Sequence, residues 1–96
     1  MITKENAQHV FEEYGVPHHC RDGLYRYLFE KVSPGGFLCA VLANDLTEAL
    51  RLGDEINISA IQNYVEFMYW ELPARDVPNA PWGSYVAVER WLDSEE

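Results

Sequence analysis

The residues most able to do chemistry lie inside an apolar run. In GGFLCAVLANDLTEAL, Gly35 to Leu50, a carboxamide and a carboxylate, Asn44 and Asp45, stand where side chains would otherwise pack. On a continuous helix Asp45 falls beside Leu38, Val41, Leu42 and Ala49, where an unpaired carboxylate is costly to bury. It therefore needs a partner. Backbone amides can serve if Asn44 or Asp45 is an N-cap that splits the run into two short helices. A guanidinium can serve if Arg21 or Arg26, on the preceding helix, reaches across. A third role is a ligand site in which Arg26, Tyr27, Asn44 and Asp45 lie between helices or at a subunit boundary and a bound molecule completes their hydrogen bonding. We expect a polar junction of this kind, with Arg26 helping to neutralise Asp45.

The segment APWGSYVAVERW, Ala80 to Trp91, is the second candidate. Trp82 sits between a proline and a glycine, on a loop beside a helix that Ser84 can cap. Free amides at a helix start with an indole alongside can hold an anion or stack a base. The plainer alternative is that Trp82 fills the core of a small protein. The ligand-binding expectation is thus Arg26, Tyr27, Asn44, Asp45, Trp82 and Ser84.

Other motifs carry less. His18, His19 and Cys20 are adjacent, and successive helical side chains point about 100° apart, so they cannot close on one metal ion. Cys20 and Cys39 are too few and too far apart for a disulfide framework and read as reduced, small hydrophobes. The sequon Asn57-Ile58-Ser59 matters only in a secreted chain. No nucleophile, base and oxyanion donor can be assembled, so no enzyme, catalytic residue, metal or cofactor is expected.

Composition sets the frame for these residues. A chain of 96 residues buries only roughly two-thirds of its unfolded surface, which supports one core and one domain, residues 1–96. With 48% hydrophobic and 24% charged residues it is globular in type. No apolar run approaches the roughly 20 residues of a membrane span, and the first residues lack a secretory h-region, so a cytosolic setting without membrane partners is expected. The net charge of −9 argues against direct nucleic-acid binding, which relies on Lys and Arg.

Gly and Pro divide the chain into segments of helical period, and no sustained alternation marks a strand. The expectation is an all-α bundle of about five helices near residues 4–14, 17–32, 37–51, 55–72 and 85–93. Thr3 caps the first and Gly15 stops it. Pro17 opens the second, whose end precedes Ser33-Pro34-Gly35-Gly36. The fourth presents Ile58, Ile61, Val65, Met68 and Leu72 as one stripe, widened by Tyr64 and Phe67. Prolines 73, 78 and 81 keep residues 73–83 out of any helix. Ser84 caps the last, with Val86, Val88, Trp91 and Leu92 apolar.

The order GLYRY, SPGGFLCAVLANDL, WGS and a final VAVERWL resembles small uncharacterised bacteriophage proteins with the pattern G-G-L-x-R-Y, P-G-x-F-L-x-A-V-L-x-N-D-L and W-G-S, over about Val16 to Leu92. The matching positions are Gly23, Leu24, Arg26 and Tyr27, then Pro34, Gly35, Phe37, Leu38, Asn44, Asp45 and Leu46, then Trp82, Gly83 and Ser84. Asp22 replaces the first glycine of the pattern, and the aromatic run FMYW before Pro73 departs from it. The resemblance implies a phage or prophage origin and expression in the bacterial cytosol, without implying an activity.

The chain holds 3 Trp, 6 Tyr and 4 Phe, and Tyr25, Phe29, Tyr69 and Trp70 fall on faces that one small core does not use. That surplus points to an extra buried surface, and a homo-oligomer is expected. The expected function is a non-enzymatic accessory protein for host takeover or counter-defence that sequesters a host protein or a small nucleotide-like ligand. The alternative is an acidic mimic of nucleic acid that blocks a host DNA- or RNA-binding protein.

Overall fold

Asn44 and Asp45 end one helix and begin another within two residues. In the computed structural model, which describes residues 1–94, α3 (Gly36–Leu42) stops where Asn44 turns into the left-handed region at φ 63°. Asparagine tolerates that conformation better than most residues with a side chain. The N–H of Asn44 then reaches the carbonyl of Val41 at 3.1 Å, and that of Asp45 reaches Ala40 at 2.8 Å, the paired bonds that close a helix C-terminus. Asp45 immediately caps α4 (Leu46–Leu52) by accepting the N–H of Glu48 at 3.2 Å. The third expected helix is therefore two.

A second break divides the fourth expected helix. Asp54 caps α5 (Glu55–Ser59), and Ala60, at φ −100° and ψ 10°, separates it from α6 (Ile61–Glu71). The change of axis shifts the buried stripe. Tyr64, Phe67, Met68 and Leu72 lie in the core, but Ile58 and Val65 are exposed, contrary to the stripe expected for one straight helix. The interruption at Asn44 does the same to α4, which buries Ala49 and leaves Leu46, Leu50 and Leu52 outside.

The remaining helices keep close to their expected spans: α1 (Ala7–Tyr14), α2 (His18–Glu30) and α7 (Tyr85–Asp93). The seven helices, rather than about five, are the only regular elements among the described residues. Thr3 acts one turn before α1, its Oγ1 accepting the N–H of Asn6 at 3.2 Å while Asn6 Oδ1 accepts the N–H of Thr3 at 2.7 Å. Gly15 closes α1 in the left-handed region at φ 74°. Val86 of α7 is exposed, and Ala87 takes the inward position.

The helix α3 packs against α2, α4, α6 and α7. Phe11, Leu24, Tyr27, Tyr64 and Phe67 are fully buried together with Leu42 of α3, and apolar burial contributes roughly 1.5–3 kcal/mol for a side chain of this size. The Cα radius of gyration, 12.1 Å, is that of one compact globule of this length. Gly23 sets the α2–α3 approach, since a Cβ there would stand 3.3 Å from Leu38 Cδ1.

The loop between α6 and α7 carries three proline residues yet is held tightly. The Tyr27 hydroxyl donates to Pro81 O at 2.6 Å, the Trp82 indole donates to Pro73 O at 2.7 Å, and the Gly83 N–H donates to Leu42 O at 2.7 Å. Gly83 has φ 120° and a Cβ there would meet Arg75 Cβ at 2.8 Å, so glycine is required. The Trp91 indole of α7 finishes α2 by donating to Tyr27 O at 2.8 Å.

Two substitutions test this framework by urea unfolding. Asn44→Gly should leave stability unchanged within a few tenths of a kcal/mol, whereas Asn44→Ala should cost about 1 kcal/mol for a left-handed Cβ. Tyr27→Phe should cost about 1–3 kcal/mol, because the buried Pro81 carbonyl loses its donor.

Candidate functional site

The expected site residues separate into two groups once folded. Arg26 is exposed and lies on the outer face of α2, its Nε 3.3 Å from Asp22 Oδ2 one turn earlier, so it does not neutralise Asp45. Tyr27 is fully buried and commits its hydroxyl to Pro81, so it faces no ligand. The proposed grouping of Arg26 and Tyr27 with Asn44 and Asp45 fails because α2 turns Arg26 outward and Tyr27 into the core.

Asp45 instead meets α7. While Oδ1 caps α4, Oδ2 accepts the Tyr85 hydroxyl at 2.7 Å. The Tyr85 hydrogen bond, followed by that from the Glu48 amide, holds the Asp45 carboxyl below its usual 3.8. The same bond, with smaller contributions from desolvation and the Asp45 charge, pushes Tyr85 up from 10.0 to about 12. Ser84 caps α7, accepting the N–H of Ala87 at 3.0 Å. Its hydroxyl is thereby engaged with the helix start that was expected to hold an anion.

Asn44 and Trp82 do come together. They border an open cleft of about 730 Å³ between the end of α6 and the 73–83 loop, lined also by Val65, Met68, Tyr69, Trp70, Ala74, Arg75 and Asp76. Trp82 is only 6% exposed, so it is part of the wall instead of a ring offered on a loop tip. Asn44 is exposed, which leaves a carboxamide on the rim. Tyr69 and Trp70 are 65% and 66% exposed and stack edge to face, centroids 4.9 Å apart at 89°. Tyr25 and Phe29, expected to share that outward role, are half-buried against the core and against each other, with centroids 5.0 Å apart.

The cleft combines an apolar floor, adaptable through Met68, with a rim of carboxamide, guanidinium and carboxylate. Such a lining can grip an apolar anchor and orient its polar neighbours. Sequence spacing pointed to Asn44, Trp82 and the Tyr69-Trp70 pair. It missed Arg75 and Asp76, which reach the cleft only through the folded loop, and Tyr85, whose partner is 40 residues away.

The remaining motifs have local roles. His18 and His19 face solvent, with His19 Nε2 3.3 Å from Asp54 Oδ2, while Cys20 points inward. Cys20 Sγ and the Tyr64 hydroxyl both donate to Asn57 Oδ1, at 3.4 and 2.8 Å, and burial pushes the Tyr64 hydroxyl well above its usual range. Asn57 is 6% exposed, so the sequon side chain is a core acceptor out of reach of a modifying enzyme. Among the described residues no helix is long and apolar enough to cross a membrane.

No family model, curated protein or solved structure matches the chain.

The Asp45–Tyr85 bond gives a pH signature at both extremes. Asp45, with its acidity strengthened by folding, contributes stability that is present above pH 3.8 and lost as pH falls through its lower folded value. Tyr85 contributes stability that is whole below pH 10.0 and lost as pH rises toward about 12. In Tyr85→Phe the Tyr85 share of the alkaline loss should vanish, leaving that of the other raised hydroxyls, Tyr14, Tyr27 and Tyr64, and the Asp45 share of the acid loss should shrink to what the Glu48 amide supplies. Thermal melts across both ranges, with the Asp45 carboxyl titrated by NMR, measure this; unchanged profiles would show that the bond does not form.

Proposed function

We propose that this chain is a non-enzymatic accessory protein of bacteriophage type that acts in the bacterial cytosol by stoichiometric capture of a host protein through the Asn44–Trp82 cleft. One observation carries the reading. Tyr69, Trp70 and Arg75 are of the three residue types that dominate binding energy at protein interfaces, and they border a single cleft with an apolar floor. A perpendicular aromatic pair about two-thirds exposed is expensive to leave in water, since each such ring can bury about 150–250 Å² against a partner. Exposed Leu46 and Val65 continue the apolar surface toward α4.

The net charge of −9 selects the partner's chemistry: an apolar or aromatic anchor flanked by basic residues, drawn in by the acidic surround and held in the cleft. The pattern shared with small phage proteins supports the setting, in which such a protein would serve host takeover or counter-defence.

The test is quantitative capture from bacterial lysate by wild type, by Tyr69→Ala/Trp70→Ala, and by Val86→Ala as an exposed control on α7. Wild type and the control should retain the same host protein near one-to-one. The double variant should lose it at least about tenfold while keeping its melting temperature within a few degrees. Capture sensitive to salt and to charge reversal of the exposed Glu12 and Glu13, but indifferent to the aromatic pair, would favour the nucleic-acid mimic instead. Wild-type dimers that the double variant breaks, with no host protein retained, would make the patch a self-interface and end the sequestration reading.

A further inference from the structure

A second open cleft, of about 710 Å³, shares no lining residue with the first and, where that one pairs Arg75 with Asp76, carries cations alone among its charged lining. Lys4, Lys31 and Arg90 all line it, three of the seven basic residues of a chain with net charge −9, and no described Asp or Glu does. They come from three separate places: the turn before α1, the end of α2 and the last turn of α7. Beside them Phe29 and Trp91 supply aromatic surface, and Ser94 a hydroxyl.

Helix electrostatics explain part of this arrangement and fail for the rest. Lys31 and Arg90 sit at helix C-termini, where a cation is favoured by the dipole whatever else it does. Lys4 precedes a helix N-terminus, the end at which a cation is disfavoured. Its place among the lining residues is therefore not a helix-capping effect. Lys31 is held with its Nζ 4.1 Å from the centroid of Trp91, and Trp91 is fixed in turn by its bond to Tyr27 O. That ammonium is preorganised above a rigid ring. Its backbone is left-handed, at φ 57°, which turns the chain sharply at this point.

We infer that this cleft binds a nucleoside phosphate, with the phosphates among Lys4, Lys31 and Arg90 and the base against the apolar side formed by Phe29. The convergence of cations calls for an anion of more than one charge, because each charge-assisted bond adds to the next. The volume and the aromatic wall exceed what a bare phosphate fills, and they match a ligand with a planar apolar body. Trp91 is not the stacking platform, since Lys31 covers one of its faces. This site is separate from the aromatic cleft of the proposed function and stands or falls without it.

The test uses the full chain at low salt, with ADP, pyrophosphate and adenosine as probes in calorimetry, and the Trp91 indole N–H followed by NMR. ADP should bind at least about tenfold more tightly than either pyrophosphate or adenosine, with a shift of the Trp91 signal and a steep loss of affinity in salt. Lys4→Gln/Arg90→Gln, both exposed, should weaken ADP by at least about tenfold, or about 1.4 kcal/mol, with a melting temperature within a few degrees of wild type. Lys31→Asn, which keeps a residue tolerant of the left-handed turn, should weaken it as well. Adenosine or pyrophosphate binding as tightly as ADP would overturn the assignment. So would ADP binding that the double variant leaves intact, or that leaves the Trp91 signal unmoved.

Discussion

The end of α3 is the constraint on which the rest of this fold depends. Four carbonyls at a helix C-terminus lose their intrahelical partners and must find others. Here Cys39 O receives Ala43, Ala40 O receives Asp45, Val41 O receives Asn44, and Leu42 O receives Gly83 from the distant loop. Three are satisfied by the turn itself. The fourth draws in the segment that leads to α7. Had the apolar run continued as one helix, Leu42 O would have bonded within it and Gly83 would have lost its acceptor.

From that point the two ends of the chain become interdependent. With Gly83 seated on α3, Trp82 closes over Pro73, Tyr27 reaches Pro81, and Tyr85 comes within 2.7 Å of Asp45. Few residues make these contacts: Gly23 at the α2–α3 crossing, Tyr27 and Trp82 as donors to the loop, Asn44 and Asp45 at the reversal, Gly83 and Ser84 at the entry to α7. They are positions at which few other residues would preserve the backbone path.

Charge is distributed as unevenly as apolar surface. Arg26 and Arg51 are paired with acids on their own helices, at 3.3 and 3.0 Å, exposed arrangements that solvent screens and that contribute little. Lys4, Lys31 and Arg90 converge instead on one cleft, while the exposed Tyr69 and Trp70 border another. An acidic surface around both clefts would favour basic partners at long range, and a local cluster of cations is needed for any small anion to be held.

What the sequence determined by itself was local. Helical period, the cap Ser84, the stop at Gly15 and the proline-rich loop between α6 and α7 were legible because each depends on residues within one turn of one another. The α3–α4 break was legible as one of two options, since Asn44 or Asp45 could cap a new helix or stand, with a partner, within a continuous one. Ala60 gave no warning of the second break, because alanine is a good helix former and only packing sets the axis of α5 against α6. The partner of Asp45 was decided by tertiary structure. Arg26 was closer in sequence, but the rotation of α2 about its axis turned it outward, and a tyrosine 40 residues away arrived once the loop was fixed. Both clefts are likewise tertiary products: neither Arg75 beside Asn44 nor Lys4 beside Arg90 can be inferred from spacing, because long-range proximity follows from which orphaned carbonyl each loop satisfies and where the helix axes then point.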